Sequence, residues 1–268
     1  MVRAASFVVL LLLAAACRSI VPAVPLPVDD PRPAALLEKW DARVRERQTF
    51  RGRAHLAVDG DVRFRGNQIV VLARPARMRI EVLGFLNQTA AVIATDGERF
   101  EVFRSGDRSY QTGAVSPELL WREAHLALTP AEAVAVLLGA PESGRGLVPA
   151  RAFEEGGELI RIDLADASGR VLRRVAFDSA ARLREFELID EDGAVRWRAE
   201  FADFAAVDGV SVAHRIVLDV AQGGTHVEVS LRDVELNPDL APEVFRIRSP
   251  LGSVPGDREP DVGEGDAS

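Results

Sequence analysis

Two hydrophobic periods alternate along the chain, and each change of period marks a boundary between elements. In AALLEKWDARVRERQ, Leu36, Leu37, Trp40 and Val44 fall on one stripe at helical spacing, which predicts an amphipathic helix. From Phe50 the period drops to two: Phe50, Gly52, Ala54, Leu56 and Val58 alternate with Arg51, Arg53 and His55. A turn at Asp59, Gly60 and Asp61 follows, and Val62, Phe64, Val70 and Leu72 continue the alternation until Pro75 ends it. RMRIEVL, TAAVIAT, RFEVF and RSYQT come next, separated by turn residues such as Asp96 and Gly97, as in an antiparallel meander.

Two short helices interrupt the meander. Ser116 followed by Pro117 reads as an N-cap with proline at the first helical position, leading into LLWREA. Thr129 and Pro130 repeat the device before AEAVAVLLG, which Gly139 terminates, and APESGRG (140–146) reads as a loop. Strands resume with LIRIDLAD, RVLRRVAFD, LREFELID, AVRWRAEFADF, VSVAHRIVLDV and THVEVSLRDVEL, joined by hairpin turns such as Asp192–Gly193 and Asp208–Gly209. The expected fold class is α+β: a strongly curved antiparallel sheet, a half-open β-barrel of about 11 strands, with three helices on its concave side.

The ends differ from the body. Met1 to Arg3 is a positive start, residues 4–16 are uncharged and mostly apolar, and three alanines precede Cys17, the only cysteine. The apolar run is shorter than the roughly 20 residues that span a bilayer. The layout is that of an export signal over 1–16, and the cysteine after small residues resembles a bacterial lipobox, so Cys17 is the expected lipid anchor. Residues 17–33 are then a lipidated cysteine and a proline-rich spacer, 34–250 one folded domain, and 251–268 a disordered acidic tail.

Composition narrows the chemistry. Hydrophobic residues make up 47% of the chain and charged residues 28%, ordinary for a globular domain. A formal charge of −8 with no basic stripe argues against a nucleic-acid partner. His55, His125, His214 and His226 are scattered, with no metal-ligand spacing; His214, in an apolar row, reads as a satisfied core residue. No nucleophile elbow or phosphate-binding loop is visible, so the reading is of a protein that is not an enzyme and needs no metal or cofactor.

What remains is the apolar inner face. Leu56, Phe64, Val70, Met78, Ile80, Val82, Val102, Phe177, Trp197 and Phe201 share the inward phase. Either they are core packed under Trp40, Leu120, Trp121, Val134 and Leu138, or they line a slot for acyl chains with the helices as its lid; periodicity alone leaves both open. Between two strands, Gly84, Phe85 and Leu86 stand at a hairpin tip, which either contacts a membrane or folds back over the sheet end.

GNQIVVLARPARMRIEVLGFLNQTAAVIATDGERFEVF (66–103) resembles the first meander of the LolA/LolB-like lipoprotein-carrier superfamily of Gram-negative envelopes, and VELNPDLAPEVFRIRSP (234–250) resembles its ending. The resemblance implies a half-closed barrel with a helical lid over a hydrophobic cavity for lipoprotein acyl chains. It implies as partners acyl chains of lipoproteins or other lipids, the membrane through acylated Cys17, and a soluble lipoprotein carrier. The lipobox fits the outer-membrane receptor branch, whose apolar membrane-engaging loop corresponds by position to Gly84, Phe85 and Leu86. The carrier branch holds its lid closed with an arginine, and Arg74, Arg77 and Arg79 lie in the matching region. The expected function is reception or localisation of lipoproteins at the outer membrane. The alternative is a structural or sensory envelope lipoprotein with a filled core that binds a protein partner by its surface.

Overall fold

The computed structural model describes residues 23–124, 126–247 and 254–255. Cys17, the expected signal and most of the acidic tail lie outside the described residues. The first meander is β2 (Thr49–Asp59), β3 (Phe64–Ala73), β4 (Arg77–Leu83), β5 (Thr89–Thr95), β6 (Arg99–Arg104) and β7 (Ser109–Ala114). The second is β8 (Val148–Glu155), β9 (Leu159–Ala165), β10 (Val171–Asp178), β11 (Leu183–Ile189), β12 (Val195–Val207), β13 (Val210–Val220) and β14 (Thr225–Leu236). Together with β1 (Ala23–Pro25) and β15 (Val254–Pro255) they form one sheet, in the order β1-β8-β9-β10-β11-β12-β13-β14-β2-β3-β4-β5-β6-β7-β15. The β14–β2 pairing joins the two meanders, and among the described residues the two edge strands do not pair, so the barrel is open.

The curved α+β sheet is therefore as expected, but among the described residues it has fifteen strands rather than about eleven. The additions are β1, β8 and β15. β8 starts fully exposed and carries no alternation to read. β1 lies inside the expected spacer, where Ala23 and Pro25 pair with Glu155 and Phe153, so the body begins before residue 34. β15 lies within the segment read as a disordered tail and pairs parallel to β7.

Three α-helices are described: α1 (Arg32–Glu46), α2 (Leu119–Ala124) and α3 (Pro130–Leu137). α1 opens with prolines in its first turn, where a missing N–H leaves no bond unmade. It buries Trp40, whose ring meets Phe177 and Phe186 edge-on at 5.8 and 6.0 Å, while Phe186 stacks on Trp197 at 5.0 Å. α2 starts three residues later than its apparent cap, because Leu119 N–H bonds Ser116 O at 3.1 Å in a turn. α3 has both signals read from its sequence. Thr129 and Glu132 form a reciprocal capping box, contributing about 1 kcal/mol. At the other end Gly139, at φ +61°, donates to Val136 O and Ala140 donates to Ala135 O, the bond pair of a left-handed glycine cap.

The convex face carries a row of alternating charge. Arg151, Asp163, Arg174, Glu187, Arg198, Asp219 and His226 stand opposite one another across β8 to β14. Asp163 and Glu187 are buried, and Arg174 bonds both, at 3.0 and 2.6 Å. Opposite charges on facing strands stabilise a sheet by roughly 0.2–1 kcal/mol a pair.

Candidate functional site

The inner face is filled in one half and hollow in the other. Under α1, aromatic rings close the space. Under α2 and α3 lies a cavity of about 390 Å³, within the range of small-molecule sites. Its floor is built from consecutive cross-strand rows: Val70, Ile80, Ile93 and Val102 face one another across β3 to β6, with Met78 below and Gln68, Val82, Ala91 and Arg104 above. Ile216, Leu218, Val227 and Val229 supply a second wall from β13 and β14, and Leu120, Leu128, Ala133 and Val136 form the roof.

The cavity brings together eight of the residues expected from the sequence: Leu56, Phe64, Val70, Met78, Ile80, Val82, Val102 and Leu120. The others lie elsewhere. Val134 and Leu138 are buried in the core cluster rather than at the cavity wall, as are Phe177, Trp197 and Phe201. Trp121 is half-buried and reaches across to the β13–β14 turn, where a Cβ on Gly223 would stand 3.1 Å from its ring. Alternation identifies the inner face but not which part of it each helix covers. Gly52 and Gly66 each give an aromatic neighbour room: a Cβ at either would come within 2.9 Å of the ring of Phe50, in the packed core, or of Phe64, at the cavity wall.

Among the described residues only Gln68, Arg104 and Glu123 interrupt the apolar lining with side chains that carry nitrogen or oxygen. Glu123 on α2 is almost fully buried and accepts from Arg104 at 2.8 Å and Arg122 at 3.1 Å. This ion pair ties α2 to β6 at the end of the sheet that carries the β2–β3, β4–β5 and β6–β7 turns.

That end also carries the hairpin of Gly84, Phe85 and Leu86. Its backbone is well specified: Gly84 N–H donates to Gln88 O at 2.8 Å, Leu86 N–H donates to the Gln88 side chain at 2.8 Å, and Asn87 adopts φ +59°. The side chains nevertheless point outward, Phe85 99% and Leu86 79% exposed. The tip does not fold back over the sheet.

The lid is fastened at its far end by arginines. Arg47, just past α1 and 5% exposed, donates to Leu138 O and Gly139 O at 3.0 Å each and to Ser211 O at 2.6 Å. Burial first, then the neighbouring Arg43 and Arg74, pull its pKa down to about 10, which still leaves it charged at neutral pH. Arg74 donates to Arg47 O at 2.9 Å and to Ala140 O, and reaches Glu142 at 3.5 Å. Of the arginines in the expected region, Arg74 is therefore the one that bonds the chain just after α3. Arg77 instead lies over the Phe245 ring, and Arg79 bonds Glu81 and Arg246 O. At the start of α3, Arg196 of β12 bonds Glu132, and Ser143 donates to Asp41 at 2.9 Å, so the 140–146 loop is pinned rather than free. His214 is half-buried, with Nδ1 3.1 Å from Val212 O, and lies outside the cavity. Among the described residues no group of three or more acidic, histidine or cysteine side chains is placed to hold a metal ion.

No protein-family model and no curated protein matches the chain. Solved structures do. A LolA superfamily protein from Nitrosomonas europaea aligns over 80% of this chain and 97% of its own, at 15% identity and a TM-score of 0.52. A DUF1329 family protein from Desulfovibrio piger aligns over 81% of this chain and 98% of its own, at 9% identity and a TM-score of 0.51. At these identities the alignments show a shared fold, and the chain has the LolA-like fold that its sequence resembles.

Proposed function

We propose that the protein binds lipid acyl chains in the cavity beneath α2 and α3 and takes part in receiving or localising lipoproteins at the outer membrane. The observation that carries this reading is the cavity itself: about 390 Å³ walled almost entirely by aliphatic side chains, on the inner face of the sheet. Burial of each methylene contributes about 0.8 kcal/mol, so such a space favours a hydrocarbon tail over water. No bond needs to be made or broken; a chain moves to whichever apolar site shields it best.

Two further features support an envelope setting. Cys17, following its short apolar run, would be acylated and tether the body to the outer membrane, facing the periplasm. The exposed pair Phe85 and Leu86 would dip into the headgroup region, at the same end of the sheet as the Arg104–Glu123 pair of the cavity. A soluble carrier delivering lipoproteins would be the natural donor.

Titration of the protein with a dansyl-labelled fatty acid tests the reading. Saturable uptake with one chain per protein, displaced by an acylated lipoprotein N-terminus, is expected. A folded protein that takes up no label would refute it and leave a tethered scaffold that binds a partner by its surface.

A further inference from the structure

The cavity is not uniformly apolar, and its polar atoms are not scattered. Gln68 and Arg104 occupy one cross-strand row, Gln68–Val82–Ala91–Arg104, and Glu123 hangs over that row from α2. The next row inward, Val70–Ile80–Ile93–Val102, is entirely aliphatic. The cavity therefore has a polar level near the 84–88 turn and an aliphatic depth behind it.

Within the polar level the three side chains differ in spare capacity. Glu123 is committed to Arg104 and Arg122, and Arg104 to Glu123 and Gln111. Gln68 is only 6% exposed and faces the cavity, yet its amide makes no hydrogen bond with any other described residue. A strand residue on the inward phase between Gly66 and Val70 would ordinarily be aliphatic. An amide here keeps a donor and an acceptor available to whatever fills the space. Water can serve it when no ligand is bound. A bare hydrocarbon entering would strip that water and leave buried polar atoms unpaired, a penalty worth about a tenfold loss in affinity.

We propose that the cavity selects amphiphiles with a carbonyl at the head of the acyl chain. The tail lies along the Val70–Val102 row, and the carbonyl oxygen accepts from the Gln68 side-chain N–H. This rests on the acyl-chain reading above and specifies its ligand. Gln68 is a specificity residue, and the ligand class is an acyl ester, amide or free acid rather than an alkyl ether or alkane.

The test compares two lipids that differ at one position, 1-tetradecanoyl glycerol and its ether analogue 1-tetradecyl glycerol, each displacing a dansyl-labelled fatty acid from the full-length protein. The ester should bind about tenfold more tightly than the ether. In Gln68→Leu and Gln68→Met, which replace an unpartnered amide with apolar groups of similar size, the ratio should fall to near one, chiefly because the ether binds better. Thermal melts no lower than wild type would confirm that both variants fold. Tetradecanoate serves as a third ligand. Binding as tight as the ester, with the same dependence on Gln68, assigns the carbonyl to a free fatty acid; weaker binding assigns it to a linked lipid. If ester and ether both bind wild type equally, the carbonyl proposal is overturned while the cavity reading stands. If the preference survives both substitutions, Gln68 is not the reader. If neither lipid binds, the cavity reading itself fails.

Discussion

Arg47→Met removes the buried clasp at the C-terminal end of α3, and its effect can be worked out from the contacts. The guanidinium makes three bonds to carbonyl oxygens, two of them at the negative end of the α3 dipole. At about 2 kcal/mol net for each hydrogen bond to a charged group, that is about 6 kcal/mol. Against it stands the unfavourable burial of the charge beside Arg43 and Arg74. A pKa of about 10, well below the ordinary arginine value, corresponds to about 3 kcal/mol of opposition. The difference, about 3 kcal/mol, should lower the melting midpoint by roughly 6–12 °C in a domain of this size. The loss should also be local first. Amide hydrogen exchange across 129–142 should quicken while β9 to β13 keep their protection. Arg65→Met, at an exposed arginine on β3, serves as the control and should melt like wild type. An unchanged midpoint with unchanged exchange in 129–142 would refute the view that Arg47 holds the lid.

Three other outcomes are expected. Replacing Phe85 and Leu86 together by glutamate should leave the melt unchanged, because both side chains are exposed, yet abolish cosedimentation with phospholipid vesicles, at about 1.5 kcal/mol of lost burial for each residue; retained vesicle binding would show that the hairpin is not the membrane contact. Ile93→Trp, which fills the aliphatic row from the floor, should cut acyl uptake at least tenfold with a fold intact by circular dichroism, and full uptake would place the ligand elsewhere. His226 Nδ1 donates to Asp219 Oδ1 at 2.6 Å, and that bond, with Glu228 beside it, raises its pKa above the ordinary histidine value. A raised folded-state pKa means the stabilisation is complete below about pH 6.5 and is lost as pH rises through the folded value. Since His226 is 44% exposed, the effect is small, and His226→Gln should flatten that part of the stability–pH curve.

Much of the architecture was legible because the strands obey period two and the helices carry their own stops. Thr129 with Pro130 and Gly139 fixed α3 at both ends, and the Leu36–Val44 stripe fixed the buried face of α1. Strands without alternation, or of two or three residues, left no such mark, which is why β1, β8 and β15 went unread. The cavity was half legible. Val70, Met78, Ile80 and Val102 announce an inner face, but Phe177, Trp197 and Phe201 announce it equally, and only the placement of Trp40 against their half of the sheet separates filled from hollow. The clasp was least legible. Arg47 and Arg196 read locally as solvated charges, and their partners, the carbonyls of Leu138 and Gly139 and the carboxylate of Glu132, lie between 64 and 92 residues away. Gln68 offered one signal, a polar residue on an apolar phase, of the kind that marks a site when it stays unpaired.

Photolabelling with a fatty acid carrying a diazirine near the end of its chain tests the central claim most directly, since it reports where the hydrocarbon lies. After irradiation and proteolysis, label on the peptides of β3 to β6 and α3, around Val70, Ile80, Ile93 and Val136, is the expected result. Label confined to α1 and β10 to β12, or none at saturating ligand, would contradict an acyl site in the cavity.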